Sequence, residues 1–314
     1  MKIYIPIDDQ IKLLESRNII IKNKKFAARM LEYENYYYVI NGYKQPFVTS
    51  TNPDVYRPGT TFNAIVALYS FDRRIREIIS PHLFRIEHVI KSQIINVFSK
   101  YHGHNHTSYL RPESFNSTTF ENFRRVNKLI FDLCKELDYR QKDHAAIKHY
   151  MNNHGYVPLW VLSKIMTFGR VTSFYGVMLP AEKNEVANLF GLNAKKFKTL
   201  IDYLAVFRNK CSHGERIYCA ALDAEKPRPI PVMPAHAQLG IPQNKKGYKY
   251  GTYDVLALLI AMKPFIQEDR FSKLIKKIDY ALNRKLAKRL HPNAFSYVTN
   301  TSGLVGNWAD LAHL

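Results

Sequence analysis

The chain has 314 residues, 46% of them hydrophobic and 23% charged, a balance that supports a folded core and excludes an intrinsically disordered chain. Its 46 Lys and Arg against 26 Asp and Glu leave a formal charge of +20, which points first to a nucleic acid partner, with a membrane surface or a solubility bias as the blander readings. No apolar run approaches the roughly 18 residues needed to cross a bilayer, and no membrane partner is expected.

Apolar residues recur at spacings of three and four over most of the length, which predicts an all-α fold. In chain order, a first helix is expected from Asp8 or Asp9 and a second over 26–33, ending in the aromatic run Tyr36, Tyr37, Tyr38. With a Gly/Pro/Asn-rich connection over 41–60 they make an N-terminal helical module and linker, 1–58. A helical core follows over 59–222. It opens with a helix capped by Thr60 or Thr61, and Ser80-Pro81 starts a second that stops at Gly103. Further helices are expected at 117–139, 142–152, 157–168 and 181–190. The clearest begins at the N-cap Asn193, carries Phe197, Leu200, Ile201, Leu204 and Phe207 on one stripe, and ends at Gly214. Five prolines between 227 and 242 make 223–251 a long exposed loop. Two C-terminal helices, 252–267 and 269–290, pack on the core within 252–314.

Cys134, Cys211 and Cys219 form no CxxC pair, so neither a disulfide framework nor a zinc ribbon is indicated. The opening MKIYIPIDDQIKLLESR has no apolar stretch of signal-peptide length, and a cytoplasmic location is expected. His102, His104 and His106 alternate in a loop with no carboxylate or thiol nearby to complete a tetrahedral site, so no metal and no cofactor is expected.

Chemistry concentrates at Arg208-Asn209-Lys210-Cys211-Ser212-His213, an Arg-x4-His sequence at the end of the clearest helix. Asn209 and His213 share a face there, and Arg208 lies about 140° from His213. The negative end of the helix macrodipole favours a protonated imidazole. His213 suits proton transfer and Arg208 suits bidentate phosphate binding, the two needs of metal-free RNA cleavage. A C-capping His and a surface Arg are the bland alternative.

The string RNKCSHGERIY closely resembles the RN-x-CAHH-x-R-x-WN signature of the Abi-like abortive-infection family of phage-defence proteins, a branch of the HEPN ribonuclease superfamily. The opening DDQIKLLESRNIIIKNKKFAARMLEYENYYYVINGYKQPF, then FDRRIREIISPHLFRIEHVIK and PLWVLSKIMTFGRVTSFY, are similar to the family's other landmarks in the right order, over about residues 8–260. The resemblance implies a HEPN-type helical bundle and metal-independent endoribonuclease activity that leaves a 2′,3′-cyclic phosphate. Arg208 and His213 would be catalytic, with Asn209 in support. One motif per chain implies a homodimer that pairs two His213 residues, and the superfamily's toxins imply restraint by an antitoxin or a small non-coding RNA. Gly214, Ser212, Tyr218 and Cys219 stand where the signature has His, Ala, Trp and Asn. A different class of protein, a non-catalytic RNA-binding module that stores or processes a small RNA, fits the same charge.

Asp72, Arg73, Arg76 and Glu87 also match the family. Arg73 or Arg76 could pair with Glu87 as scaffolding, and Glu87 orienting Arg208 is the sharper alternative. Tyr36 to Tyr38 are expected in the core rather than stacked on bases. The last predicted helix interleaves Lys276, Lys277, Arg284 and Lys288 with an apolar face, which is either a solvated face or an RNA-backbone contact. Lys195, Lys198, Lys210 and Arg216 add RNA-binding charge near the proposed site.

Overall fold

In a computed structural model that describes residues 4–223, 228–245 and 247–314, the chain is all-α apart from two short hairpins. The N-terminal pair α1 (Ile7–Ser16) and α2 (Lys24–Glu34) leads through a π-helical turn, Tyr37–Asn41, to the hairpin β1 (Val48–Thr51) and β2 (Asp54–Tyr56). That hairpin lies inside the stretch expected to be only a connection. Ile20 then bonds on both sides of Thr61, its N–H donating to Thr60 at 2.9 Å and its carbonyl accepting from Phe62 at 3.0 Å, which moors the module to the next helix.

That helix, α3 (Phe62–His102), is a single 41-residue rod and not the two helices that Ser80-Pro81 suggests. Thr61 caps it through the Ala64 N–H. Proline removes one helical hydrogen bond. Ile75, Ile78, Ile79, Leu83, Ile86 and Ile90 are nevertheless all buried on either side of Pro81, so one unbroken apolar stripe holds the helix together across it.

Next come α4 (His106–Tyr109), α5 (Phe120–Arg140), α6 (Ala145–His154), α7 (Leu159–Leu162), α8 (Phe168–Val177), α9 (Pro180–Asn188) and α10 (Ala194–Ser212). The helix expected over 157–168 is only the single turn α7, and α8 lies where no helix is predicted. Its two glycines and β-branched residues argue weakly for helix, but Phe168, Val171, Phe174, Tyr175 and Val177 are buried, and packing decides. α10 packs on α3, α8, α9 and α12 (Val255–Met262), whose eight residues are all buried.

The Pro-rich stretch, expected to be an exposed loop, is exposed over much of its described length but is partly ordered and partly buried. Pro234 begins the short α11 (Pro234–Gln238), β3 (Gln243–Asn244) pairs with β4 (Gly247–Tyr248), and Ile230, Ala235, His236 and Ile241 are buried. His236 donates from Nε2 to the Gly251 carbonyl at 2.8 Å and accepts the Met233 N–H on Nδ1 at 3.1 Å. Buried backbone polar groups thus find a side-chain partner in place of a ladder. The C-terminus has α13 (Glu268–Asp279), continued by a π-helical stretch Tyr280–Leu286, and then an unpredicted α14 (Pro292–Ser302). No helix among the described residues is long and apolar enough to cross a membrane.

Gly303 after α14 has φ +73°, and a Cβ built on it would lie 2.5 Å from the carboxylate of Asp254, which caps α12. Gly303→Ala is expected to cost about 2–4 kcal/mol, from left-handed backbone and overpacking together. A urea-unfolding midpoint within error of wild type would contradict this.

Candidate nucleic-acid cleavage site

The proposed site is built on the C-terminus of α10. Asn193 caps the start of that helix through the Lys196 N–H at 2.8 Å. At its end, the Glu215 N–H donates to the Lys210 carbonyl at 2.9 Å, the Gly214 N–H donates to Cys211 at 3.3 Å, and Gly214 has φ +68°. This is a Schellman closure, which needs a residue tolerant of left-handed backbone, and glycine supplies it. Because backbone alone closes the helix, the His213 side chain is free for other use. Its imidazole is exposed and has no hydrogen-bond partner among the described residues.

His213 lines a cleft of about 810 Å³ together with Tyr37, Tyr38, Arg73, Arg76 and Glu215. Tyr37 and Tyr38 are 68% and 65% exposed, so two of the three tyrosines expected in the core stand at the mouth of this cleft. A π-helical turn presents them, after Asn35, whose positive φ of 67° ends α2.

Arg208 points elsewhere, consistent with its separation of about 140° from His213, and it does not line that cleft. Its Nε donates to Glu87 Oε2 at 2.7 Å, its guanidinium lies 5.3 Å from the centre of the Phe84 ring, and Nη1 reaches Asn209 Oδ1 at 3.4 Å. Glu87 is buried, and its other oxygen meets Lys91 Nζ at 2.9 Å, while Lys91 donates to the Met166 carbonyl at 2.6 Å. The guanidinium is therefore clamped along one edge, and Nη2 has no protein partner among the described residues. Glu87 joins Arg208, and neither Arg73 nor Arg76 reaches it.

Arg76 instead pairs with Asp72 and donates to the Glu215 carbonyl at 3.1 Å. Asp72 is fully buried and accepts four donors: the Tyr43 hydroxyl at 2.7 Å, Arg76, and the backbone N–H groups of Ile217 and Tyr218 at 3.1 and 2.8 Å. Burial pushes its pKa up, and Arg76 foremost among these donors pulls it back. Tyr43 stacks on Tyr218 at 5.8 Å. Asp72 and Arg76 thus tie the segment that follows His213 to α3.

The remaining cations at the cleft are engaged. Arg73 pairs with Glu34 and Glu77, and Arg216 donates to the Gly42 carbonyl at 2.6 Å. Lys210 meets Glu215 at 3.0 Å and Asp223 at 2.7 Å. Burial lowers the Lys210 pKa, but the two carboxylates outweigh it and the net shift is upward. Burial raises the Cys211 thiol to about 11, which leaves it unreactive. Farther away, Lys276 and Lys277 line a groove between α3 and α13 with Arg74, Lys285 and Arg289. Arg284 and Lys288 are exposed outside it. Lys195 and Lys198 line a third pocket, on the N-terminal half of α10.

The three histidines expected in a loop separate, with His102 ending α3 and His106 starting α4. A carboxylate is near after all, since His102 binds Glu182, while His104 lies 4.9 Å from the Trp160 ring in a tilted pair, and no group of three or more His, Cys, Asp or Glu among the described residues could hold a metal. Residues 29–219 match the family model described as Abi-like protein, a span that contains every residue of the α10 terminus and of the Asp72 tether. No curated protein and no solved structure matches the chain.

Proposed function

The chain belongs to the Abi-like protein family, and on that footing we propose that it is a phage-defence RNA-binding protein with metal-independent HEPN-type endoribonuclease activity. The observation that carries the reading is the chemistry left free at one helix end. An exposed imidazole with no partner among the described residues stands five residues from a guanidinium held at Nε by a buried glutamate.

In this reading the RNA 2′-oxygen attacks phosphorus as one imidazole takes its proton. A second, protonated imidazole supplies the proton that lets the 5′-oxygen leave, and Arg208 balances the charge building on the phosphoryl oxygens. The products are a 2′,3′-cyclic phosphate and a 5′-hydroxyl. One chain has one such histidine, and its Arg208 opens away from the His213 cleft, so the composite site is a homodimer in which two α10 termini meet. Phe84, 48% exposed beside Arg208, is apolar surface that a second copy would cover. An antitoxin or a small non-coding RNA restrains the activity until infection.

Purified protein is expected to cleave RNA in excess EDTA to fragments ending in 2′,3′-cyclic phosphate, with activity per chain falling on dilution as the dimer separates. Abolition by EDTA would overturn the chemistry, and activity per chain independent of dilution would overturn the composite site. A tightly bound RNA of unchanged length would instead favour the module that stores a small RNA.

A further inference from the structure

Between the second turn of α5, the end of α8, α9 and the N-terminal half of α10 lies a pocket of about 620 Å³. Five cations line it, Arg125, Lys183, Lys195, Lys198 and Arg228, against one carboxylate, Asp202. Asp202 is already taken by Lys198. No carboxylate pairs with any of the other four among the described residues, in contrast to the His213 cleft, where the cations are engaged. Like charges gathered this way repel one another unless an anion sits among them.

The packing brings the charges closer together. A Cβ on Gly176 would lie 2.8 Å from Arg125 Nη2 and 3.0 Å from Lys198 Cε, so the missing side chain is what lets guanidinium and lysine stem converge over the end of α8. Lys183 is half-buried, and burial followed by the charges of Arg125 and Lys198 lowers its pKa, the mark of a cation without its counter-ion. The one aromatic residue of the lining, Tyr203, is buried and donates its hydroxyl to the Asp254 carbonyl at 3.0 Å. No ring is offered for a base to stack on. The ligand chemistry is that of phosphate oxygens, which a guanidinium fork and flanking ammonium groups bind well.

We propose that this pocket is a binding site for an oligophosphate, either the triphosphate of a free nucleotide or the 5′-triphosphate end of an RNA. It does not depend on the nuclease reading. It does stand in register with that site, because Lys198, Asp202, Val206, Asn209 and His213 fall on one stripe of α10 at about 100° per residue. Lys198 and His213 are fifteen residues apart on that helix, about 22 Å of rise.

The test is calorimetric titration of full-length protein with inorganic tripolyphosphate at physiological salt. One saturable site is expected, weakened about tenfold to a hundredfold by Lys183→Gln or by the exposed Arg125→Gln, the loss anticipated for one charge-assisted contact. Lys276→Gln and Lys277→Gln, which remove equal charge from the other groove, are expected to leave it unchanged, as is His213→Ala. ATP and paired RNA oligonucleotides carrying a 5′-triphosphate or a 5′-hydroxyl then identify the source. Tight ATP binding assigns the free nucleotide, and a triphosphate-dependent gain lost in Lys183→Gln assigns the RNA end. Absence of saturable binding, or equal weakening by the Lys276 and Lys277 variants, would overturn the proposal whatever the RNase assay shows.

Discussion

His213→Ala is expected to lower RNA cleavage by about 10²–10⁴-fold, the usual worth of a positioned proton-transfer group, while leaving the unfolding midpoint where it was. The second half of that expectation follows from the backbone closure of α10. Gly214 and Glu215 complete the helix end through main-chain bonds, and the exposed imidazole touches nothing that folding needs. A stability change would therefore signal that the cap, rather than the chemistry, had been disturbed. Arg208→Lys makes a sharper companion. A lysine has a single nitrogen and cannot bind Glu87 along one edge while presenting another to phosphate, so a loss of similar order is expected although the charge is kept. Glu87→Gln tests positioning, because it can keep one acceptor for Arg208 Nε while it removes the charge and turns the oxygen that meets Lys91 into a donor. Its expected effect is smaller and falls on kcat more than on KM. Cleavage that survives in both His213→Ala and Arg208→Lys would remove the α10 terminus from the reaction.

How much of this could be read in advance differs from residue to residue. α10 was legible from Asn193 to Gly214 because its N-cap, apolar stripe and terminal glycine agree. Arg208-x4-His213 fell at its end for the same reason. Helix angles also separated Arg208 from His213, as the structure does. The partner of Arg208 is another matter. Glu87 is offered as that partner only as the sharper alternative, through the family match, because it lies 121 residues away in sequence and no local spacing tells a buried glutamate on α3 from a solvated one. Asp72 is similar. It is named only as a family landmark, and nothing local shows that it is fully buried, with acceptors that serve backbone donors from 145 residues downstream. At Pro81 and in part of the Pro-rich stretch local breaker signals mislead, because buried side chains decide: the isoleucines around Pro81, and His236 with its two backbone partners. Residues 224–227 and 246 of that stretch lie outside the described structure.

Asp72→Ala is expected to destabilise the protein by about 3–5 kcal/mol, the cost of removing one partner from a buried charge pair. The donor set explains why no substitute should rescue it. Oδ1 accepts the Ile217 and Tyr218 N–H groups, and Oδ2 accepts the Tyr43 hydroxyl and Arg76. Asparagine keeps one oxygen and turns the other into a donor, so whichever way its amide is turned, two donors face an NH2 group. Asp72→Asn should consequently fall near Asp72→Ala, whereas a simple loss of charge at an exposed site would cost little. Equilibrium urea unfolding measures the loss, and hydrogen exchange at Ile217 and Tyr218 locates it, with both amides exchanging faster than those in the middle of α10. The functional consequence is directional. Arg76 also holds the Glu215 carbonyl, so the tether fixes the path of the chain just beyond His213. A variant that still folds should lose RNA cleavage out of proportion to RNA binding, because a loosened helix end misplaces the imidazole without removing any cation from the basic grooves. A destabilisation below about 1 kcal/mol, the range of an ordinary surface substitution, would mean that Asp72 does not hold this segment.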